Sequence, residues 1–307
     1  MNESSAPSAP SNSAGVYLID AAVYVFRAWH SLPESIVDGS GVAINALYGF
    51  AGFLGDLHRR VGPQARVAVA FDESLTTSFR NRIYADYKAN RPPAPADLKR
   101  QFLACQALCT ALGLAWHADA EYEADDIIGT WAAREAAQGR AVVIVSRDKD
   151  LAQLLGPQDV WWDFAADRRL DPAGVVDKLG VPPAQVAELL ALTGDAVDNI
   201  PGVRGVGPKA AQALLARYAT LEEIYADLHG VAALPLRGAR GLAQKLEAGR
   251  ELAFLSRELA RIPNDCPRVP ALPAEPPRAR ADAEDTLQAL GLGGRVRGRL
   301  QGFFAPA

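Results

Sequence analysis

The chain has 307 residues, 49% hydrophobic and 22% charged, with 36 Asp and Glu against 32 Lys and Arg and a net charge of −4. That length buries a full core and accommodates one large domain or two modest ones. A mildly acidic balance argues against a general nucleic-acid coat protein but leaves room for an enzyme whose acids are gathered in one site.

Residues 1–15, rich in Ser, Ala, Pro and Asn, have neither a basic start nor an apolar centre; they read as a disordered lead and not as a signal peptide. A first apolar run, Val16-Tyr17-Leu18-Ile19, is closed by Asp20, and a second, Val67 to Phe71, by Asp72. A third, Ala141 to Val145, leads through Ser146-Arg147 to Asp148 and Asp150. Such short runs without polar alternation suit strands buried on both faces of a parallel sheet. Helical patterns over 44–60, 97–112 and 125–138 lie between and beside them, so this part predicts a three-layer α/β domain. Past about residue 170 the texture changes to helices with short connectors. A helix over 183–192 precedes the acidic loop Thr193 to Asn199, the glycine-rich segment Ile200 to Lys209 and an Ala/Leu helix. A Pro/Arg-rich stretch, 263–280, predicts an exposed crossing, and 283–304 a final amphipathic segment packing back on the core. No run of 18 apolar residues occurs, so no transmembrane helix is expected. Cys105, Cys109 and Cys266 with four scattered histidines supply neither a disulfide frame nor zinc spacing, and Cys105 and Cys109 read as small core residues. A soluble, cytoplasmic protein with reduced thiols is expected.

The carboxylates that close the runs carry the chemistry. Ligand sites in open α/β sheets form beyond the carboxyl ends of the strands. Singly, an Asp after a strand is an ordinary helix cap or turn former; three strands delivering acids to one edge is another matter. Glu121-Tyr122-Glu123-Ala124-Asp125-Asp126 opens a helix with more carboxylates than its dipole needs. With Asp20, Asp72, Asp148, Asp150, Asp195 and Asp198, many like charges converge, which is costly unless cations neutralise them. Oxygen-only ligands point to hard ions, Mg²⁺ or Mn²⁺, and two such ions about 3.5–4 Å apart are the usual device for phosphodiester hydrolysis. Setting nine of these acids aside turns the net charge of −4 into +5, which suits a nucleic-acid substrate.

Cations lie nearby in sequence. Arg80, Arg82, Lys88, Arg91, Lys99 and Arg100 occur with Tyr84 and Tyr87 interleaved. That is either a solvated helical face or a single-strand binding element in which cations hold phosphates and aromatic faces hold bases. Gly202 and Gly207 followed by Lys209 nearly read as a phosphate-binding P-loop, but Pro208 displaces the lysine, Ala210 replaces the Ser/Thr, and no strand precedes. A helix–hairpin–helix turn fits better: Gly205 and Gly207 allow close approach to a phosphate, the next helix N-terminus offers N–H groups, and Lys209 adds charge.

Together these residues resemble the 5′-nuclease family: the N-terminal domain of bacterial DNA polymerase I, the phage 5′-exonucleases and the flap endonucleases. The resemblance runs from Tyr17 to about Leu259. It rests on Asp20 with Arg27 and His30, Tyr48-Gly49-Phe50, Phe71-Asp72, Ser78-Phe79-Arg80, Tyr87-Lys88 and Tyr122 to Asp126. Asp148-Lys149-Asp150-Leu151, Thr193-Gly194-Asp195, Asp198-Asn199 and the glycine hairpin follow in order. No one motif is specific; their order is.

The resemblance implies a PIN-like (Rossmann-like), mainly parallel sheet flanked by helices over 16–182, with a helical arch near 79–105. A helix-three-turn-helix DNA-binding region over 183–262 would follow, then the connector and C-terminal helix over 263–307. It implies that Asp72, Glu123, Asp125, Asp126 and Asp148, with Asp20 nearby, shape one metal position, and that Asp150, Asp195 and Asp198 shape a second. Arg80 and Lys88 match basic residues that steer the scissile phosphate, with Lys88 at the base of an arch through which a 5′ strand passes. Arg27, Tyr84, Tyr87, Arg91, Gly202, Gly205, Gly207 and Lys209 would touch nucleic acid, and potassium would bind backbone carbonyls near Val203–Val206. Glu121 has no counterpart and is read as a surface acid. Ala21 stands where many relatives have Gly, and Ser74 where relatives often have a basic residue.

The implied activity is that of a Mg²⁺- or Mn²⁺-dependent, structure-specific 5′→3′ exonuclease and flap endonuclease serving replication and repair. Its partner would be branched or 5′-ended duplex DNA with a single-stranded 5′ flap. A free-standing, monomeric enzyme without membrane contact is expected, since no polymerase segment follows, and full hydrolytic competence, since no acid is missing. The alternatives are a PIN-type ribonuclease and a catalytically silent binder of branched DNA. Asp195, Asp198 and the hairpin argue against the first, and the complete acid set against the second.

Overall fold

The computed structural model describes residues 15–73, 76–236 and 238–304; nearly all of the expected disordered lead, and the departure at Ser74, lie outside them. Its six strands are β1 (Val16–Asp20), β2 (Arg66–Asp72), β3 (Ala115–Asp119), β4 (Val142–Val145), β5 (Val160–Asp163) and β6 (Arg168–Leu170). They form one sheet in the order β3-β2-β1-β4-β5-β6, parallel except for β6. The three apolar runs thus became three adjacent inner strands, β2, β1 and β4, with Ile19 in register with Val69 on one side and Val145 on the other.

Helices α1 (Ala21–Ser31), α2 (Asn45–Val61), α3 (Phe79–Ile83), α4 (Ala96–Ala111), α5 (Ala124–Ala136) and α6 (Pro172–Leu179) alternate with the strands. Side chains alternate across a strand, so β1 serves two cores. Val16 and Leu18 join α5 and the later helices; Ile19 joins α1, α2 and α4. Cys105 and Cys109 lie buried in this second core. Helix α1 was not foreseen; Asp20 caps it, its carboxylate accepting the Ala22 N–H at 3.1 Å.

The helical region comprises α7 (Val186–Thr193), α8 (Pro208–Leu215), α9 (Leu221–Ala226), α10 (Leu228–Ala232), α11 (Ala239–Ala248) and α12 (Arg250–Ala260). The loop between α7 and α8 folds back on itself through the bridge between Asp195 and Ile200. Gly202 (φ +62°) lies so near Gly194 that a Cβ on it would stand 2.3 Å from the Gly194 nitrogen, so only glycine fits there. The stretch expected as an exposed crossing is pinned along its length. The Trp131 indole donates to the Pro270 carbonyl at 2.9 Å, Arg134 to Val269 at 2.7 Å and Arg66 to Pro273 at 2.9 Å. It leads to α13 (Ala283–Ala289) and α14 (Gly294–Leu300), whose apolar residues complete the second core. No helix among the described residues is long and apolar enough to cross a membrane.

Candidate active site at the carboxyl edge of the sheet

Because β1 lies between β2 and β4, Asp20 at its end stands between Asp72 and the turn that carries Asp148. Backbone and hydroxyl donors set the acids in place. The Ser146 hydroxyl donates to Asp20 Oδ2 at 2.9 Å and accepts the Asp148 N–H at 2.9 Å. Asp148 Oδ1 accepts the Asp150 N–H at 2.9 Å, and Asp72 Oδ1 accepts the Ala124 N–H at 2.9 Å, tying the start of α5 to the sheet edge. Burial, then the charges of Asp72 and Asp148, push Asp20 up to about 7. Burial, then Asp148, Asp20 and Asp72, raise Asp125 well above the carboxylate range. Burial also raises Asp72, with Lys88 opposing and Glu123 adding. Asp72 and Asp148 act on Asp20, and Asp148, Asp20 and Asp72 act on Asp125, so the four carboxylates lie within reach of one another's charge.

A second group is built with cations. Lys88 Nζ lies 2.8 Å from Glu123 Oε2 and 3.6 Å from Asp198 Oδ2, and the Tyr87 hydroxyl donates to Glu123 Oε2 at 3.0 Å. Arg91 pairs with Asp198, and Lys149 with Asp195. Burial works to raise Glu123, but Lys88 and Arg80 outweigh it and hold Glu123 low. Burial likewise works against ionised Asp195, and the Lys149 hydrogen bond outweighs it. Asp150 is pushed up to about 7 by burial, then by Asp148, with Lys149 opposing. Lys88 itself has φ +55°, a left-handed conformation held by its N–H bond to the Asp198 carbonyl at 3.0 Å.

Several expectations are corrected. Arg80 does not face a phosphate: it is 2% exposed and forms a double hydrogen bond to Asp126 at 2.7 and 2.8 Å. Its Nε donates to the Leu259 carbonyl at 2.8 Å, so it ties α3 and α5 to the end of α12. Asp126, 0% exposed, is no metal ligand: Arg80 occupies both its oxygens, and Oδ2 also accepts the Glu123 N–H at 2.9 Å. Tyr87, 3% exposed, offers no face to a base, and Tyr84 packs partly buried against the core. The segment expected as a helical arch is the five-residue α3, a set of turns and the start of α4, where Leu98 and Gln101 are buried. Its turns dock on the α7–α8 loop: Asn90 Nδ2 donates to the Ala196 carbonyl at 2.8 Å.

Arg27 stands exposed on α1, and Lys209 exposed in the first turn of α8, two residues past Gly207 at its cap. Val203 and Val206 are buried by their side chains, and the Val203 carbonyl accepts the Val206 N–H at 3.0 Å. Where potassium was expected, Lys245 Nζ donates to the Gly205 carbonyl at 3.1 Å. A cation of the chain's own thus stands at one carbonyl of the hairpin. Glu121 is a surface acid, paired with Arg82 and Arg268. Asp119, which ends β3 in register with Asp72, accepts from Nε and Nη2 of Arg268, each at 2.7 Å.

Sequence reasoning missed Ser146 and Lys149. Both had a signal: each sits within two residues of Asp148, and Lys149 is flanked by two acids.

Among the described residues no three of these groups stand as a coordination sphere. Yet Glu123 Oε1 and Asp150 Oδ1 are buried without a hydrogen-bond partner. Two orphaned carboxylate oxygens beside an uncompensated group of four acids fit a hard divalent cation.

A family model described as the N-terminal resolvase-like domain of 5′-3′ exonucleases matches residues 15–180, and one described as their C-terminal SAM fold matches 181–281. DNA polymerase I of Pseudomonas aeruginosa is 44% identical over 255 residues, 83% of this chain, and the chain spans only 28% of that protein's length. A 5′-3′ exonuclease of Buchnera aphidicola is 31% identical over 252 residues, covering 82% of this chain and 87% of that protein. Among solved structures, the bacteriophage T5 5′-exonuclease with bound divalent metal ions (zinc) has a TM-score of 0.63 at 21% identity, covering 94% of this chain and 98% of that one. The T5 flap endonuclease in a pseudo-enzyme-product complex with DNA and metal ions has a TM-score of 0.64 at 20% identity, covering 94% and 99%. At these identities the likeness establishes a shared fold.

Proposed function

The chain belongs to the 5′-3′ exonuclease family, and from that premise we propose that it is a structure-specific nuclease that trims 5′ ends and cleaves 5′ flaps of DNA with two divalent ions, Mg²⁺ or Mn²⁺. The observation that carries this reading is the meeting of Asp20, Asp72, Asp125 and Asp148 at the sheet edge, with Asp150, Asp195 and Asp198 alongside. When bound, such ions lower the pKa of an attacking water and stabilise charge on the scissile phosphate. The chain's own residues do the rest. Asp20, Asp72, Asp125 and Asp148, with Glu123 Oε1 and Asp150 Oδ1, would supply the oxygen ligands. Lys88, ion-paired to Glu123 and largely buried beside the acids, would offer its charge to a substrate phosphate. Arg91 and Lys209 offer further charge toward the backbone of the duplex.

The test uses a 5′-flap duplex labelled at its 5′ end, incubated with protein and Mg²⁺ and then with EDTA. A labelled product about the length of the flap, absent with EDTA, supports the reading; mononucleotide products alone would shift it to pure exonuclease action. Intact but bound flap would sink the hydrolytic reading, and preferential cutting of unstructured RNA would move the substrate class.

A further inference from the structure

Lys149 stands between two acids of the second group, and we propose that its ammonium is a tethered counter-ion that holds the second metal position in the free protein and sets how tightly a second divalent ion binds there. This rests on the two-ion reading above.

Asp195 has little left to offer an incoming ion. Its Oδ1 accepts the Val197 N–H at 2.7 Å and its Oδ2 accepts from Lys149. Lys149 Nζ also lies 3.4 Å from Asp150 Oδ1, the buried oxygen without a hydrogen bond. One ammonium therefore bridges two acids from different regions of the chain, as a metal ion would. An ion reaching Asp195 Oδ2 must displace it, so binding there is an exchange of cations and not a simple gain. The side chain can leave: it is 46% exposed, against 10% for Lys88. Asp20, Asp72, Asp125 and Asp148 carry no ion pair among the described residues, so an ion entering their group displaces nothing. The two positions should fill in order, and Lys149 fixes the gap between them.

The experiment is calorimetric titration of Mn²⁺ into the DNA-free protein, for wild type, Lys149→Gln, Lys149→Arg and the control Lys178→Gln. Lys178 is a surface lysine packed on Trp161 at 3.9 Å. Removing the competitor should tighten the weaker class of sites by roughly tenfold, or make it detectable, with the tight class within about twofold of wild type. Lys149→Arg should resemble wild type, and Lys178→Gln should change neither class. A weaker class left unchanged or loosened by Lys149→Gln would overturn the inference, since a lysine that merely orders Asp195 would help the ion. An equal effect from Lys178→Gln would reduce it to the general field of the protein. Absence of Mn²⁺ binding in every variant would instead remove the two-ion reading beneath it.

Discussion

Asp20, Asp72, Asp125 and Asp148 meet without an ion pair among the described residues, whereas Glu123, Asp195 and Asp198 are each held by a lysine or arginine. The first group is placed by strand ends and short donors: the Ser146 hydroxyl and the Ala22 and Ala124 N–H groups. The second is placed by long side chains reaching between the α7–α8 loop and the segment after α3. Rigid backbone can hold like charges together at a cost that an ion relieves; flexible chains settle their charges among themselves. One part of the site thus stores repulsion, and the other stores adaptable pairing.

The largest expected effect tests that division by activity. Asp148→Ala should lower flap cutting by about 10³-fold or more, several kcal/mol of barrier, while flap affinity stays within a few-fold. Asp195→Asn should cost less, because its carboxylate is already neutralised; equal losses measured by single-turnover cleavage would erase the distinction. Stability gives the next contrast. Arg80→Met leaves Asp126 charged, buried and unpaired, and should destabilise by about 3–5 kcal/mol in urea unfolding. Arg91→Met breaks a half-exposed pair and should cost about 1 kcal/mol or less. A mild Arg80 variant would mean that Asp126 is free to serve the metal site after all.

How much of this was legible follows from where each residue's role is decided. β1, β2 and β4 were readable because both faces of a central strand must be apolar. β3 was not: it is an edge strand whose residues Ala115 to Ala118 are only half-buried, so its pattern is mixed. β5 is as short as β4 but is centred on two tryptophans instead of an aliphatic run, and β6 has only three residues, too few for any period. Asp20, Asp72 and Asp148 could be placed because a strand end fixes position along the chain and in space together. Asp126 and Arg80 were misassigned because spacing cannot say which way a side chain turns. In the first turn of α5, Asp125 faces the sheet edge and Asp126, one position on, faces Arg80. Lys149 stood within a motif, but its role was hidden because its partner, Asp195, is 46 residues away.

Metal removal probes the repulsive group directly. Ions binding the folded state at about a hundredfold over their Kd stabilise it by about 2.7 kcal/mol, so EDTA should lower the melting temperature by several degrees. Asp125→Asn should raise the metal-free melting temperature and shrink the response to Mg²⁺. An unchanged response would show that Asp125 is not among the repelling acids.

The smallest effect is on pH. Asp20 and Asp150 have an ordinary carboxyl value of 3.8 and are raised to about 7 in the fold, chiefly by burial. Between those values the folded protein holds protons that the unfolded chain has released, so stability must fall as pH rises through that window. The metal-free protein should therefore melt at a higher temperature at pH 5 than at pH 8, as far as these two groups decide it. A divalent ion replaces the proton as the neutralising charge, so saturating Mg²⁺ should flatten the slope. Lys149 already lies beside Asp150, so a flattening confined to Asp150→Asn, with Asp20→Asn leaving the slope intact, would place the stored repulsion in the second group. The reverse pattern, with Asp20→Asn removing most of the slope, is what an unpaired sheet edge requires.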